Sequence, residues 1–333
     1  MDKKKLFFVT SEMSVNFFLI PYIEYLQRHF EIVVITNIRK INIKQNYKKR
    51  ISIKTFFFNR DINLFNDLKF LWYLYKYFKK EKPHIVHTIN PKCGFIGIFA
   101  AWISNVPIRI HTFTGQVWLL KNFFFSKFLQ QIDKFISSKA THCLVDSHSQ
   151  RNFLINKKIL NKNSSSVLSF GSISGVNLNR FKPNPKMRKK IRKKLNISDE
   201  HLVFLYLGRI KKDKGILDLA YAFKKVLKIN NKLSLLIVGP DEDKIVHKIN
   251  EILKDNKENL TLVSKTIKPE NFMQASDIFC LPSYREGFGL SVIEAAACGL
   301  PSLCSRIYGL KDCTIEGKTG WKHKVANSES IFF

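Results

Sequence analysis

The stretch Ile278-Phe-Cys-Leu-Pro-Ser-Tyr-Arg-Glu-Gly-Phe-Gly-Leu-Ser-Val-Ile-Glu294 decides the fold class. Its first four residues form an apolar run typical of a buried strand, and a helix is predicted to begin near Leu290. In the turn, Gly287 and Gly289 let the backbone come close to a ligand. Amides at a helix start attract anions, and the helix dipole adds to that attraction. The stretch therefore indicates an α/β sheet with a phosphate site beyond the carboxyl end of a strand.

Two carboxylates flank this turn. Glu286 precedes the glycines, and Glu294 follows after seven intervening residues, about one turn into the helix. Carboxylates accept hydrogen bonds from sugar hydroxyls, which an apolar wall cannot do. The alternative is that Glu294 is a solvated helix residue, but Ile293 and Ala295 indicate a mostly buried helix in which a carboxylate needs a partner.

A second loop with the same placement is Gly208-Arg-Ile-Lys-Lys-Asp-Lys-Gly215, which follows the strand predicted over residues 202–207. Arg209 can bind a phosphate through two parallel hydrogen bonds, and Lys214 can add a point charge. Together they are able to hold a diphosphate and stabilise it as a leaving group. A basic loop is usually only solvated, but this one lies at the carboxyl end of a strand, as the first motif does.

The rest of the chain repeats the alternation of strand and helix, which indicates parallel sheets flanked by helices. The pattern stops over residues 171–184 and at the basic run 182–194, where we place a linker and the helix that enters a second domain. We predict two Rossmann-like domains, residues 1–178 and 179–333. Predicted strands cover residues 6–10, 32–36, 51–57, 85–88, 108–113, 143–146, 202–207, 233–238, 260–263 and 278–281, and predicted helices cover 18–30, 65–78, 128–139, 217–229, 244–253 and 290–298.

Length and charge agree with two domains and raise a question about partners. The 333 residues suit two domains of about 150 residues. The formal charge is +30, of which residues 1–200 contribute +25 and residues 201–333 contribute +5. Codon bias accounts for this excess as readily as attraction to a polyanion or an anionic membrane does. Since no nucleic-acid-binding motif accompanies the charge, we expect no nucleic acid partner.

The cysteines and the apolar stretches indicate a cytoplasmic chain. The six cysteines show neither a CxxC pair nor metal-ligand spacing, so we expect reduced, mostly buried thiols. The apolar run over residues 6–9 is too short for a signal peptide. The most apolar stretch, residues 94–103, falls short of the ~20 residues that span a bilayer.

Residues 208–215 and 286–294 together resemble the retaining glycosyltransferases of family 4, which have the GT-B fold: α/β, with two Rossmann-like domains that face each other across a cleft. The resemblance implies a first domain that binds the acceptor and faces the membrane, and a second that binds a nucleotide-sugar donor. It implies donor contacts in three groups. The diphosphate would be bound by Gly208, Arg209 and Lys214; the transferred sugar and the phosphate by Glu286, Gly287, Phe288, Gly289, Leu290 and Ser291; and the ribose by Glu294. The catalytic group would be Glu286, Arg209, Lys214 and His111.

In the first domain, Thr112-Phe-Thr-Gly-Gln-Val-Trp118 and Asp146-Ser-His-Ser149 resemble family members that build bacterial surface polysaccharides on a lipid carrier. By this resemblance Thr114, Gly115 and Asn16 would lie on the acceptor side. Two features depart from the family pattern. The loop from Thr10 to Asn16 has no glycine, and Thr114 stands where many members have histidine. His111 is then either a displaced equivalent of that histidine or an ordinary strand residue.

We expect no cofactor and no metal. The stretch Asp241-Glu-Asp243 resembles the DxD metal motif of the other main glycosyltransferase fold, but it follows Gly239-Pro240 at a predicted helix start. Acidic residues there interact favourably with the helix dipole, so we interpret the stretch as a cap.

Two segments that mix aromatic residues with lysine are candidates for membrane contact, since such residues suit the boundary of an anionic bilayer. A core helix with a lysine-rich outer face explains residues 65–82 equally well. Phe123, Phe124 and Phe125 are expected to lie in a loop, where they are harder to bury, and are therefore the preferred contact.

The resemblance implies a hexosyl- or N-acetylhexosaminyltransferase that moves a sugar, with UDP as the expected nucleotide, to a polyprenyl-linked or saccharide acceptor for O-antigen, capsule or glycan synthesis. It would be cytoplasmic and peripheral on the inner face of the bacterial membrane. Family members usually continue for tens of residues beyond the equivalent of Trp321, so an inactive, truncated binding protein is an alternative. A sugar-nucleotide epimerase is a further alternative, against which the Glu-Gly-Phe-Gly pattern argues.

Overall fold

The computed structural model describes residues 3–11, 19–37, 51–58 and 62–332. The chain divides into two compact units, residues 1–174 and 175–333, called here the first and second units. The division lies four residues before the boundary expected from composition. Asn16 lies outside the described residues.

The first unit contains a parallel sheet of seven described strands, in the order β3-β2-β1-β4-β5-β6-β7. Parallel neighbours require crossover connections, which the helices between the strands provide. The strands are β1 Lys4–Val9, β2 Phe30–Thr36, β3 Ser52–Thr55, β4 Ile85–Ile89, β5 Ile108–Phe113, β6 His142–Val145 and β7 Ser165–Val167. The helices are α1 Ile20–Leu26, α2 Leu64–Glu81, α3 Pro91–Ile103, α4 Phe123–Lys139 and α5 His148–Asn156.

The core of the first unit explains this order of elements. Strands β1 and β2 are almost wholly buried because helices and loops cover both faces of a parallel sheet. In α2, Phe70, Leu74 and Phe78 recur at a spacing of four and face the core. Helix α3 packs against both α2 and α4, so the three helices form a row.

The second unit contains a parallel sheet of six strands, in the order β10-β9-β8-β11-β12-β13. The strands are β8 Leu202–Leu207, β9 Leu233–Val238, β10 Leu260–Val263, β11 Ile278–Leu281, β12 Ser302–Ser305 and β13 Gly320–His323. The helices are α6 Pro185–Lys194, α7 Ile216–Leu227, α8 Val246–Ile252, α9 Pro269–Ala275, α10 Leu290–Ala297, α11 Tyr308–Lys311 and α12 Ser328–Phe332.

The structure differs from the sequence prediction at several elements. Strands β7, β12 and β13 were not predicted, because they are three or four residues long and contain serine, glycine or lysine. The prediction that Phe123, Phe124 and Phe125 lie in a loop is wrong, since they form the first turn of α4. The side chain of Asn122 caps that turn by accepting a hydrogen bond from the Phe125 amide at 3.0 Å.

The basic run 182–194, at the start of the second unit, includes an arginine that is buried rather than solvated. Arg192 is fully buried, and its guanidinium donates to the Asp277 carboxylate at 2.7 Å and to the carbonyls of Ala275 and Ser198 at 2.9 and 3.0 Å. Because this helix belongs to the second unit, the net charges are +18 for residues 1–174 and +12 for residues 175–333. The excess is therefore more evenly shared than the division at residue 200 suggests.

The prediction of reduced, buried thiols is confirmed, since all six cysteines are free and buried. Among the described residues, no helix combines the length and apolar character that a bilayer crossing requires.

Candidate active site

The site is built at the carboxyl edge of the second sheet, where β8 and β11 are neighbours. The loop 208–215 leaves β8 and the loop 282–289 leaves β11, so the two sequence motifs meet. The Tyr284 amide donates to the Asp213 carbonyl at 2.9 Å, and Arg285 lies 3.5 Å from the Asp213 carboxylate.

Gly215 allows these loops to pack against each other. Its φ of +64° is in the left-handed region, which side chains strongly disfavour. A Cβ at this position would lie 2.1 Å from the Pro282 carbonyl oxygen. Only a glycine therefore fits, and the two loops form one surface.

Lys214 and Glu286 form a close ion pair on that surface. Lys214 Nζ lies 2.6 Å from Glu286 Oε1, and the side chains are only 14% and 19% exposed. Ser283 Oγ donates to the same carboxylate oxygen at 2.8 Å. The pair fixes the lysine at the turn and leaves further ammonium hydrogens for a ligand.

Arg209 is held by Glu242, an acidic residue that follows β9. Its Nη1 donates to Glu242 at 3.1 Å, while the buried Tyr206 hydroxyl donates to the Arg209 carbonyl at 2.7 Å. Asp241 accepts hydrogen bonds from the amides of Ile245 and Val246 at 2.9 and 3.0 Å. Of the stretch 241–243, Asp241 therefore binds the start of α8 as the cap interpretation predicts. Glu242 instead holds Arg209, and Asp243 accepts the Lys212 amide at 2.9 Å.

The turn before α10 presents backbone amides. Gly289 caps the helix with a φ of +76°, and Phe288 is buried in the core of the unit. Within the described part of the chain, none of the amides of residues 287–291 donates to a protein acceptor. This run, which includes Gly287, Leu290 and Ser291, can therefore bind an anion without first breaking a protein hydrogen bond. Gly208 lies at the end of β8 on the same edge.

Glu294 is half-buried in α10, as its apolar neighbours predict. Burial raises the pKa of its carboxyl to about 7, although the positive charge of Arg180 lowers it and Glu270 raises it further. Among the described residues this carboxylate has no hydrogen-bond partner, so it can accept hydrogen bonds from a ligand. The sequence did not indicate the ion pair of Arg180 with Glu270, whose Nη2 and Oε2 atoms lie 2.8 Å apart although the residues are 90 positions apart in the chain.

The carboxyl edge of the first sheet carries the expected acceptor-side residues Thr114 and Gly115, which follow β5. His111 lies within β5 and is 1% exposed, so its position fits the interpretation as a strand residue. Its Nδ1 lies 2.8 Å from Thr88 Oγ1, and burial lowers the pKa of the imidazole to about 3. The ring also lines a small pocket with Thr114, Gly115 and Asp133.

The chain matches two known family models, one in each unit. Residues 187–331 match the family described as glycosyl transferases group 1, and residues 22–168 match glycosyltransferase family 4. The capsular polysaccharide biosynthesis glycosyltransferase CapM of Staphylococcus aureus is 35% identical over 79% of this chain and 69% of its own length. This chain belongs to glycosyltransferase family 4. A second family member, the UDP-Gal:alpha-D-GlcNAc-diphosphoundecaprenol alpha-1,3-galactosyltransferase of Escherichia coli, is 31% identical over 80% of this chain and 70% of its own length.

Among solved structures, HepE of Anabaena in complex with UDP and glucose superimposes with a TM-score of 0.80 at 15% identity, covering 99% of this chain and 88% of that one. The family 4 chain thus has the GT-B fold, with two α/β Rossmann-like domains, and is a glycosyltransferase. The comparisons do not favour the alternatives of an inactive binding protein or an epimerase.

Proposed function

We propose that this glycosyltransferase moves a sugar from a UDP-sugar to a saccharide carried on a polyprenyl diphosphate, with retention at the anomeric carbon. The product is an intermediate of a bacterial capsule or O-antigen. The observation that carries the proposal is the half-buried Lys214–Glu286 pair beside a run of amides that, among the described residues, have no protein acceptor.

The donor fits the second unit by charge. Lys214, Arg209 and the amides of residues 287–291 supply positive groups for a diphosphate, and Glu294 supplies an acceptor for ribose hydroxyls. Support for UDP comes from HepE, whose structure holds UDP, and from the E. coli relative, whose name specifies UDP-Gal. The transferred hexose would lie by Glu286.

The proposed step breaks the bond between the anomeric carbon and the diphosphate oxygen. The acceptor hydroxyl attacks the same face of the sugar, and its proton passes to the departing phosphate oxygen. Lys214, Arg209 and the helix-start amides stabilise the negative charge that develops on the leaving group, so the step needs no metal. Asp241 caps α8 rather than serving as part of a metal motif.

A pair of substitutions tests the donor site. Lys214→Ala and Glu286→Ala should each lower transfer by roughly a hundredfold or more. The first removes a positive charge beside the leaving phosphate, and the second removes the carboxylate that holds Lys214 and lies by the hexose. Release of UDP from a set of UDP-sugars, with a polyprenyl diphosphate saccharide as acceptor, measures this.

The matched control is Lys232→Ala, because Lys232 and Glu200 form an ion pair of similar length, 2.7 Å, that is 64% and 71% exposed in the same unit. We expect its rate to stay within about twofold of wild type, since exposed pairs contribute little. Unchanged turnover in both Lys214→Ala and Glu286→Ala would reject the proposed donor site.

We also propose that the first unit contacts the anionic inner face of the membrane, where a polyprenyl acceptor is anchored. The contact is the aromatic surface of α4, defined as Phe123, Phe124, Phe125 and Phe128. Phe123 and Phe124 are 69% and 84% exposed. Lys127 and Lys121 lie 5.7 and 6.0 Å from the ring centres of Phe123 and Phe125. Such rings enter the headgroup boundary while the lysines meet anionic lipid.

Helix α2, which packs on the other side of α3, extends the same chemistry. Its inner face is core, but Phe65 and Trp72 are exposed, with Lys69 and Lys76 lying 4.1 and 3.6 Å from their ring centres. The inner face therefore agrees with the explanation as a core helix, while membrane contact by the aromatic and basic outer face stays a prediction.

Co-sedimentation with vesicles tests the membrane contact. The double substitution Phe123→Ser and Phe124→Ser should weaken binding to phosphatidylglycerol vesicles by about tenfold or more, because two aromatic rings are no longer there to enter the bilayer. The control is Phe170→Ser, since Phe170 is 91% exposed and, among the described residues, has no lysine over its ring. Equal binding by the double variant and wild type would exclude this surface.

A further inference from the structure

We infer that Gln150 is the positioning residue of the acceptor side: its buried amide holds the loop 114–116 in the shape that receives the acceptor. The inference rests on the proposed function, because it takes the first unit as the acceptor-binding one. Gln150 lies in the first turn of α5 and is wholly buried.

The amide nitrogen of Gln150 binds the loop that follows β5. Nε2 donates to the Thr114 carbonyl at 2.7 Å and to Gln116 Oε1 at 3.2 Å. Gln116 Nε2 in turn donates to the same Thr114 carbonyl at 2.8 Å. Both hydrogens of the Gln150 amide are therefore used, and they determine where the Thr114 carbonyl points.

The amide oxygen of Gln150 binds the loop that follows β6. Oε1 accepts the backbone N–H of Asp146 at 3.1 Å. The Asp146 carbonyl accepts the backbone N–H of Ser172 at 2.7 Å, beyond the end of β7. One side chain thus joins the loops after β5 and β6, and Asp146 extends the connection to the segment after β7.

This arrangement requires a glutamine. A side chain must donate two hydrogen bonds and accept a third from a site without access to water, and only a primary amide of this length does so. Ser147 fixes the start of α5 by accepting the Gln150 backbone N–H at 3.1 Å, so the side chain leaves a rigid helix turn. Leu154, one turn later, packs in the hydrophobic core, so packing and positioning are done by different residues of α5.

By this inference the two units bind different substrates, the acceptor in the first and the donor in the second. Donor contacts belong to the second unit, so a change at Gln150 should affect the acceptor and leave the donor bound as before. The acceptor-side backbone at Thr114 and Gly115 should become more mobile, because a glutamate or methionine leaves the Thr114 carbonyl with one hydrogen bond fewer.

Two variants and two measurements test the inference. Gln150→Glu keeps the shape of the side chain, and Gln150→Met keeps approximately its volume. In both we expect the acceptor KM to rise about tenfold or more. Hydrolysis of the UDP-sugar without acceptor, and the thermal shift on adding UDP, should stay within about twofold of wild type. Hydrogen exchange should speed up at the amides of residues 115–118.

The matched control is Gln274→Glu. Gln274 is also a buried glutamine whose Nε2 donates to a carbonyl, that of Lys182 at 2.8 Å, but it lies in the second unit. Its acceptor KM should equal that of wild type. The inference is overturned if the Gln150 variants keep the wild-type acceptor KM or the wild-type exchange at residues 115–118. It is also overturned if kcat, donor hydrolysis and thermal stability fall together, which indicates a structural role only.

Failure of the proposed function looks different. In that case wild type itself neither hydrolyses nor transfers from any UDP-sugar, while the exchange measurement still decides whether Gln150 holds the loop.

Discussion

The carboxyl edges of the two sheets are built in different ways. In the second unit, charged side chains of contiguous motifs meet, with Lys214 against Glu286 and Arg209 against Glu242. In the first unit, the loops are joined by neutral hydrogen bonds through the buried amide of Gln150. The edge suited to a diphosphate is thus rich in charged side chains, whereas the other edge is fixed by groups that carry no charge.

The largest expected effect comes from a substitution that forces apart the two loops of the second unit, 208–215 and 282–289. Gly215→Ala places a Cβ against the Pro282 carbonyl, so the loop that carries Glu286 must move. We expect transfer to fall by roughly a hundredfold and the free energy of unfolding to fall by about 3 kcal/mol. UDP release and urea unfolding measure the two effects.

Gly317→Ala is the control for that change. Gly317 also has a positive φ, +77°, but a Cβ there meets no atom within 4 Å. It should lose only about 1 kcal/mol, from backbone strain alone, and keep its activity. If both alanine variants lost the same stability and activity, the close contact with Pro282 would not matter.

A smaller effect tests whether the carboxyl edge of the first sheet tolerates a charged side chain. Burial raises the pKa of the Asp146 carboxyl to about 7, and its buried Oδ1 has no hydrogen-bond partner among the described residues. The stability that the protonated carboxyl contributes is complete below the unfolded pKa of about 4 and is lost as the pH rises toward 7. The side chain of the Asp146→Asn variant does not titrate. The free energy of unfolding of the variant should therefore exceed that of wild type by an amount that grows from pH 4 to 7 and then stays constant. We expect about 2 kcal/mol at pH 7.5, because the asparagine amide still lacks partners.

Thermal unfolding at pH 5, 6 and 7.5 measures this advantage. Asp255→Asn, the same substitution at an aspartate that is 65% exposed in the second unit, is the control. A constant difference for Asp146→Asn would mean that the first edge tolerates a buried charge.

The smallest effect concerns Glu294, the half-buried carboxylate in α10 of the second unit. Because its pKa is raised to about 7 and ribose hydroxyls bind the ionised form better, UDP affinity should rise by about tenfold between pH 6 and 8. Glu294→Gln should remove that part of the pH dependence, and calorimetry on both proteins separates it from the titration of UDP itself. A variant as pH-dependent as wild type would place the ribose elsewhere.

The difference between the edges also explains what the sequence could predict. The residues of the donor motifs lie within the eight positions 208–215 and the seventeen positions 278–294, and in the second stretch a strand, a glycine turn and a helix start are visible together. The ion pair of Lys214 with Glu286 was not predicted, because it depends on how closely Gly215 approaches Pro282. Arg180 pairs with a residue 90 positions away, which no local pattern indicates.

In the first unit, local sequence patterns did not indicate Gln150 or the start of α4. The motif ending at Ser149 was noticed, but Gln150 was not, because a single glutamine in a helix has no spacing that marks it. The helix over residues 128–139 was predicted, but its start at Phe123 was missed because three consecutive aromatic residues lack helical periodicity, although Asn122 is a normal cap. Hydrogen bonds between distant segments therefore account for most of what the sequence did not predict.

The six buried cysteines have a practical consequence. Burial raises the pKa of every thiol, so each should react slowly with an alkylating reagent until its surroundings open. Two of them, Cys93 and Cys143, lie in the first unit and the other four in the second. The number of labels that the chain acquires in increasing denaturant, read by mass spectrometry, therefore reports which unit opens first without any introduced probe.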